Sequence, residues 1–474
     1  MRDATPAGAL SPALGPGASY GQDSDQGCTN CLALYQVGCW WPVRLVRRGD
    51  TDTGEALGMT DPDHARRREM AAVVMYWMQR RGMTRQIFAD RMGRSLSWVD
   101  KIRAGDRQLD RLSVLRQIAS VLQIPLVVLI DPEEAERRRT CPDEQEIDAI
   151  RDALCRYDAI TNVFRPNGDV LPEPNLAKLE RTVRFGWMAF QASNYQAVGQ
   201  ILADLIREAQ AAVWQLDNDE RRQAQIWLTW TYQLTASTAF KLGNEQLGWV
   251  AADRGIQIAE QTGDLMLIGG AAMRVGKALM ATRNSGDAVQ MIKSAASRLE
   301  PHLSSATPAF VSAYGMLLLQ GSIAAARINQ AADVRDLQDE ALAVAARLEY
   351  DRNENWSAFG STNVLVHRVS ALADMQSGGR VIEAAADIPY GDLMHLPRER
   401  RASHLIDVTR GHLQAGQRDE AAATLLEADQ LASEEVRCRD LTKQIITDLV
   451  RSYPRGLTPM VGVTRLARAV GVAV

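Results

Sequence analysis

The chain has 474 residues, 46% of them hydrophobic and 24% charged, with a formal net charge of −4. This is an ordinary globular balance, long enough for roughly three domain-sized units or for one small domain with an extended array behind it. No run of about 18 apolar residues is present and the N-terminus has no basic stretch leading into an apolar one, so neither a membrane-spanning helix nor a secretory leader is expected. Residues 1–60 are rich in Gly, Pro, Ala and Ser, show no sustained apolar period, and read as a disordered extension. Within them Cys28-x-x-Cys31 with Cys39 faintly resembles a metal knuckle, but a fourth ligand at suitable spacing is missing and His64 is the nearest histidine. The remaining cysteines, Cys141, Cys155 and Cys438, make no disulfide framework for a chain of this size, which suits a reducing cytoplasm.

From Ala65 the apolar period becomes helical, with Met70, Val73, Val74, Trp77 and Met78 on one face. Arg81-Gly82 ends that helix. Thr84 caps a second, Arg85–Met92, which Gly93 stops. Ser95 caps a third, Leu96–Arg103, stopped by Gly105. Asp110 is the expected cap of a fourth, Arg111–Leu122, and Pro125 opens a short fifth. The expected fold is all-α: a five-helix domain over 64–130, a charged linker over 131–145, and a helical repeat domain over 146–474. Polar breaks in that last part recur at Ser193-Asn194, Gly243-Asn244, Ser285-Gly286, Asn329-Gln330, Gly378-Gly379 and Gly416-Gln417, roughly 38–50 residues apart, a spacing that suits stacked helix hairpins.

Charge is distributed unevenly. Residues 64–130 hold 13 Lys+Arg against 5 Asp+Glu, while the rest of the chain holds 41 against 53. A compact basic block on an acidic body points to a polyanion-binding module attached to something that does not bind polyanions.

The segment Met83–Gly105 carries most of the functional information. Ala89 is small where two helices must cross, and Gly93 permits the left-handed turn between them. Phe88, Met92, Val99 and Ile102 set the crossing from inside. Thr84 and Ser95 place hydroxyls and free backbone N–H groups at helix N-termini, where a phosphate can sit. These residues resemble the helix-turn-helix of the phage-repressor and xenobiotic-response-element family of regulators. The resemblance covers about residues 66–130 and implies a third helix that enters the DNA major groove. It places Leu96, Ser97 and Lys101 at base edges, and Thr84, Arg85, Arg94, Ser95, Trp98 and Arg107 near phosphates. Arg85, Arg94 and Arg103 depart from the family pattern, the first two by adding positive charge toward DNA. The rest of the chain resembles tetratricopeptide-type arrays fused to such domains, although its units are longer than the usual ~34 residues. That likeness implies a concave groove for a peptide, small ligand or protein partner.

The expected function is therefore a sequence-specific transcriptional regulator that binds double-stranded DNA as a homodimer, with no membrane partner and no cofactor. The alternative is a protein-interaction scaffold that does not bind DNA. An enzyme is not expected, because no nucleophile elbow, phosphate-cradling loop or His-Glu metal helix is present. Three weaker clusters have structural readings. Arg401, His404, Arg410 and His412 share one helix and read as a solvated face, with a groove for an acidic ligand as the lesser alternative. Asn363 and His367 read as structural rather than as a peptide clamp. Trp227, Trp230 and Tyr232 read as core packing.

Overall fold

The computed structural model describes residues 62–156, 173–454, 456 and 459–474, which form an all-α structure with no strand among them. The extension over 1–60 and its three cysteines lie outside the described residues. The first five helices are α1 (Pro62–Arg80), α2 (Arg85–Met92), α3 (Leu96–Ala104), α4 (Leu112–Leu122) and α5 (Val127–Ile130). They share one core in which Val74, Trp77, Phe88, Ala89, Met92, Val99, Ile102, Ile118 and Leu122 are buried. Gly93 takes φ +62°, and the Arg94 N–H returns to the Ala89 carbonyl at 2.9 Å, closing α2 so that α3 can cross it. Asp110 is not a cap. Arg111 occupies that position without a side-chain bond, and Asp110 lies one residue too early to reach the first turn.

The expected linker is a helix. Asp131 caps α6 (Pro132–Thr140), with Glu133 and Glu134 in its first turn and Arg137, Arg138 and Arg139 in its last, the charge order the helix dipole favours. Ala135 is buried in the same core as α1–α5. Next, α7 (Glu144–Cys155) starts with a capping box between Asp143 and Glu146. Arg80 at the end of α1 grips that box: its Nε and Nη2 donate to the Glu146 carboxylate at 3.0 and 2.8 Å, and the guanidinium also donates to the carbonyls of Arg138 and Cys141 at 3.0 and 2.8 Å. Arg81 pairs with Asp143 at 2.6 Å. Gln196 donates to the Tyr76 hydroxyl at 2.7 Å, tying α1 to the first repeat.

Six helical hairpins follow. They pair α8 (Leu176–Gln191) with α9 (Tyr195–Gln215), α10 (Asn218–Lys241) with α11 (Glu245–Thr262), and α12 (Leu265–Ala281) with α13 (Ser285–Leu299). Next come α14 (Pro308–Arg327) with α15 (Ala331–Ala345), α16 (Ser361–Asp374) with α17 (Gly378–Ala386), and, after the short α18 (Tyr390–His395), α19 (Arg398–Gln414) with α20 (Arg418–Leu431). Each hairpin turns through one left-handed residue: Ser193, Gly243, Arg283, Asn329, Gln376 or Gly416. Each turn is also closed by the same backbone bond reaching five residues back, from Asn194 to Ala189, Asn244 to Ala239, Asn284 to Leu279, Gln330 to Ala325, Ser377 to Leu372 and Gln417 to His412. Two expected breaks therefore shift. Ser285-Gly286 and Gly378-Gly379 sit in the first turn of α13 and α17, and the chain reverses two residues earlier. Gly378 is small for a different reason: a β-carbon there would lie 2.7 Å from the Gly411 carbonyl oxygen of α19.

The C-terminal segment contributes α21 (Ser433–Arg437), α22 (Asp440–Arg451) and α23 (Val461–Ala469). α21 and α23 pack on α6, and α19 touches α8, so the array curls until its last hairpin meets its first. Cys141 and Cys438 are joined by a disulfide across 297 residues with a Cα separation of 5.6 Å, which corrects the expectation that these cysteines are unpaired. Helix α14 is also unexpected. With a mean hydropathy of 1.5 over its best window it is long and apolar enough to cross a membrane, although Ser312, Gln320 and Ser322 interrupt its apolar run. That window is 72% buried among neighbouring repeats, as suits a central helix apolar on all sides.

Candidate functional site

Two surfaces have the chemistry for function. The first is the outer face of α2 and α3. Thr84 and Ser95 cap these helices, accepting from the Ile87 and Trp98 backbone N–H groups at 3.2 and 3.3 Å. Capping uses their oxygens but leaves the other first-turn N–H groups of each helix facing outward. Leu96, Ser97 and Lys101 are all exposed along one edge of α3, with Leu96 39% accessible despite its apolar side chain. Arg85, Arg94 and Arg107 are exposed around them. Arg85 is already paired with Asp100, and Arg103 approaches the same carboxylate at 3.9 Å, so the arginine near the end of α3 joins a local ion pair. Trp98, expected beside a phosphate, is instead buried at 7% exposure, its ring centroid 6.5 Å from that of Phe88. The Arg94 and Arg107 guanidiniums lie 6.0 and 5.7 Å from its centroid and are positioned by that ring.

The second is a partly open cavity of about 250 Å³ formed where the array closes on itself. Its apolar wall consists of three tryptophans from distant repeats. Trp187 of α8 and Trp356, from a one-turn helix after α15, stack at 5.5 Å with 8° between their planes, and Trp230 of α10 stands edge-on to both. The opposite wall is cationic. α10 presents Gln233, Ser237 and Lys241 at four-residue spacing, α12 presents Arg274 and Lys277, and α19 presents Glu399, Arg400 and His404. Lys241 is held by Glu399 and, at 2.5 Å, by Glu435, which also takes Arg439 at 2.7 Å and the Tyr195 hydroxyl. Deeper along α19, Arg410 bridges Asp374 and Asp407 at 2.7 and 2.9 Å. Arg274 and Lys277 have no carboxylate partner among the described residues. Arg274 donates to Ser237 at 3.4 Å and to its own helix's Gly270 carbonyl at 3.1 Å, and lies 5.4 Å from the Trp187 centroid. Among the described residues Lys277 makes no hydrogen bond or ion pair, and it lies 5.6 Å from the Phe240 ring. Both are half-buried and line the cavity. Burial, reinforced by the Arg400 charge, lowers the Arg274 guanidinium to about 9. Burial also lowers the Lys277 ammonium to about 7, with repulsion from Lys241 and Arg439 adding to the effect. For Glu399, burial works to raise the carboxyl, but Lys241 and Arg400 outweigh it and hold the group at about 2.

Sequence reasoning named His404, Arg410, His367 and Trp230 but gave all of them structural roles. His404 is 4% exposed and Arg410 is largely buried, so their helix is no solvated face. His367 bonds the Asn363 carbonyl at 2.8 Å and borders the cavity, where burial and then Arg400 hold it neutral, down to about 3. Trp187, Trp356, Gln233, Arg274 and Lys277 carried no local signal, because only the closure of the array brings them together. A lysine in a chain with 6 lysines and 48 arginines was the sole available hint.

No family model and no curated protein matches this chain. Among solved structures, that of Bacillus thuringiensis PlcR in complex with the peptide PapR7 and DNA is 14% identical, aligned over 60% of this chain and 96% of that one. Its TM-score of 0.29 is too low to carry an inference about this chain, so function is argued from the two surfaces themselves.

Proposed function

We propose that the chain is a sequence-specific DNA-binding transcriptional regulator of the xenobiotic-response-element type whose helical repeat domain senses a ligand or partner. The observation that carries this reading is the exposed edge of α3, where Leu96, Ser97 and Lys101 stand together on a helix rigidly crossed by α2 and flanked by Arg94 and Arg107. In this reading Lys101 donates to guanine, Leu96 meets a thymine methyl, and Ser97 bonds a base edge. Thr84, Arg85, Ser95, Arg94 and Arg107 hold phosphates, while Trp98 acts from beneath as a platform for the two arginines. One such module covers little DNA, so binding by a homodimer follows, with two recognition helices about 34 Å apart.

The test is a gel shift on the chain's own upstream DNA, at low and physiological salt, with selection of bound genomic fragments to obtain an operator. Lys101→Ala is expected to relax base preference at one position. Arg94→Ala is expected to weaken all sequences alike and to reduce the salt slope by about one unit. An equal loss of specificity in both variants refutes these roles, and no retardation at either salt favours a scaffold that does not bind DNA.

A further inference from the structure

The cavity inside the curl of the array has features that a packing core does not need. A structural interior pairs its charges and bonds its polar atoms, because an unpaired buried ion is costly and an unbonded amide forfeits its hydration. Here Lys277 and Arg274 face the cavity without a carboxylate. Gln233, 1% exposed, leaves both its amide oxygen and its amide nitrogen unbonded; His404 Nδ1 is also buried without a hydrogen bond, and Arg400 Nε, likewise without one, lies 3.9 Å from the Glu399 carboxylate. These groups sit on α10, α12 and α19, three separate hairpins, and all of them border the same space. Lys241, Arg274, Lys277, Arg400 and Arg439 meet Glu399, Glu435 and Asp407, a local surplus of two positive charges.

We infer that this cavity is the binding site for a small organic anion, a molecule with a carboxylate or phosphate head and a flat apolar body. The head sits between Lys277, Arg274 and Arg400, with Gln233 donating or accepting beside it. The body lies against the tryptophan wall, with the Arg274 guanidinium above Trp187 marking the boundary between the two halves. The volume supports a small molecule, since about 250 Å³ lies just under the usual range of ligand pockets, roughly 300–1,000 Å³. The lowered Lys277 ammonium is consistent with the same picture, because an arriving anion supplies the missing partner. This inference names the ligand class of the sensing half of the proposed regulator and rests on that reading only for its consequence, not for the binding itself.

The experiment uses the full chain without DNA and follows tryptophan fluorescence and calorimetry with naphthoate, naphthyl phosphate and the neutral naphthamide. The anions are expected to bind and to quench, with naphthamide weaker by about tenfold or more, the scale of a charged hydrogen bond. Lys277→Met keeps the volume and removes the charge, so it is expected to fold, to raise the melting temperature of the unliganded chain, and to abolish the preference for the anions over naphthamide. Equal binding of anion and amide overturns the inference, as does an anion preference that survives Lys277→Met. Tight binding of an apolar peptide with a free C-terminus, but of none of the naphthalenes, also overturns it and makes the cavity a peptide site. Because the readout contains no DNA, a failure here leaves the role of α3 standing, and a failed gel shift leaves this result standing.

Discussion

Arg80 joins the five-helix unit to the array, and replacing it tests whether the two are one cooperative body. Its side chain is 1% exposed, pairs with both oxygens of Glu146, caps two carbonyls at the end of α6, and lies 4.8 Å from the Trp77 ring centroid. Arg80→Ala leaves Glu146, itself only 10% exposed, without its cation and strands the Arg138 and Cys141 carbonyls. Breaking a buried ion pair from one side costs about 3–5 kcal/mol. Arg81 still holds Asp143, so the lower end of that range, ~3 kcal/mol, is expected. Arg80→Lys keeps the charge, but a single ammonium cannot reach a carboxylate and two carbonyls in a fixed fork, so it recovers no more than about half the loss. The assay is urea unfolding of the full chain, followed by far-ultraviolet circular dichroism, for Arg80→Ala, Glu146→Ala and the double variant. The double variant is expected to lose much less than the sum of the singles, because the two side chains share one interaction. A loss below about 1 kcal/mol for Arg80→Ala, the scale of a surface pair, refutes the assignment of a buried coupling.

The cavity gives a prediction of pH dependence. The Lys277 ammonium faces Lys241 from α10, Glu399 and Arg400 from α19, and Arg439, with burial as the largest influence lowering it from its ordinary 10.5 to about 7. An anion needs the charged form, so affinity is fully present below pH 7 and falls as pH rises through that value, by up to about tenfold per unit, and Lys277→Met flattens the profile. Between about pH 7 and the ordinary lysine value the unfolded chain holds a proton that the unliganded folded chain lacks. This group alone therefore makes the empty protein more stable as pH rises across that window, measurable by melting temperature. Packing around α14 gives another prediction. A β-carbon on Gly315 would overlap the ring of the fully buried Phe359, so Gly315→Ala is expected to cost about 1–3 kcal/mol by overpacking, and Phe359→Leu in the same chain to recover part of that loss.

Local signals in the sequence determined the small domain almost entirely. Thr84, Gly93, Ser95 and Gly105 mark helix ends by chemistry that acts within a few residues, and the spacing of Val74, Trp77, Phe88, Met92, Val99 and Ile102 specifies one buried face per helix. The helical nature of the array was legible for the same reason. Its turns were less so, because four of the six left-handed turn residues are not glycine and are held by the i-to-i−5 backbone bond rather than by residue type. The segment 131–145 misled because its charge looks like solvation, whereas the structure uses Ala135 to extend the core and Arg137–Arg139 to suit the helix dipole. Only the tertiary structure decided which side chains form the cavity, that Cys141 meets Cys438, and that Trp98 faces inward. The cavity and the disulfide depend on the small rotation between successive hairpins, which accumulates until residues more than two hundred positions apart touch. Whether a tryptophan early in α3 faces inward depends on the angle at which α2 crosses it. No window of sequence encodes either angle, because each is set by how the buried faces of neighbouring helices fit together.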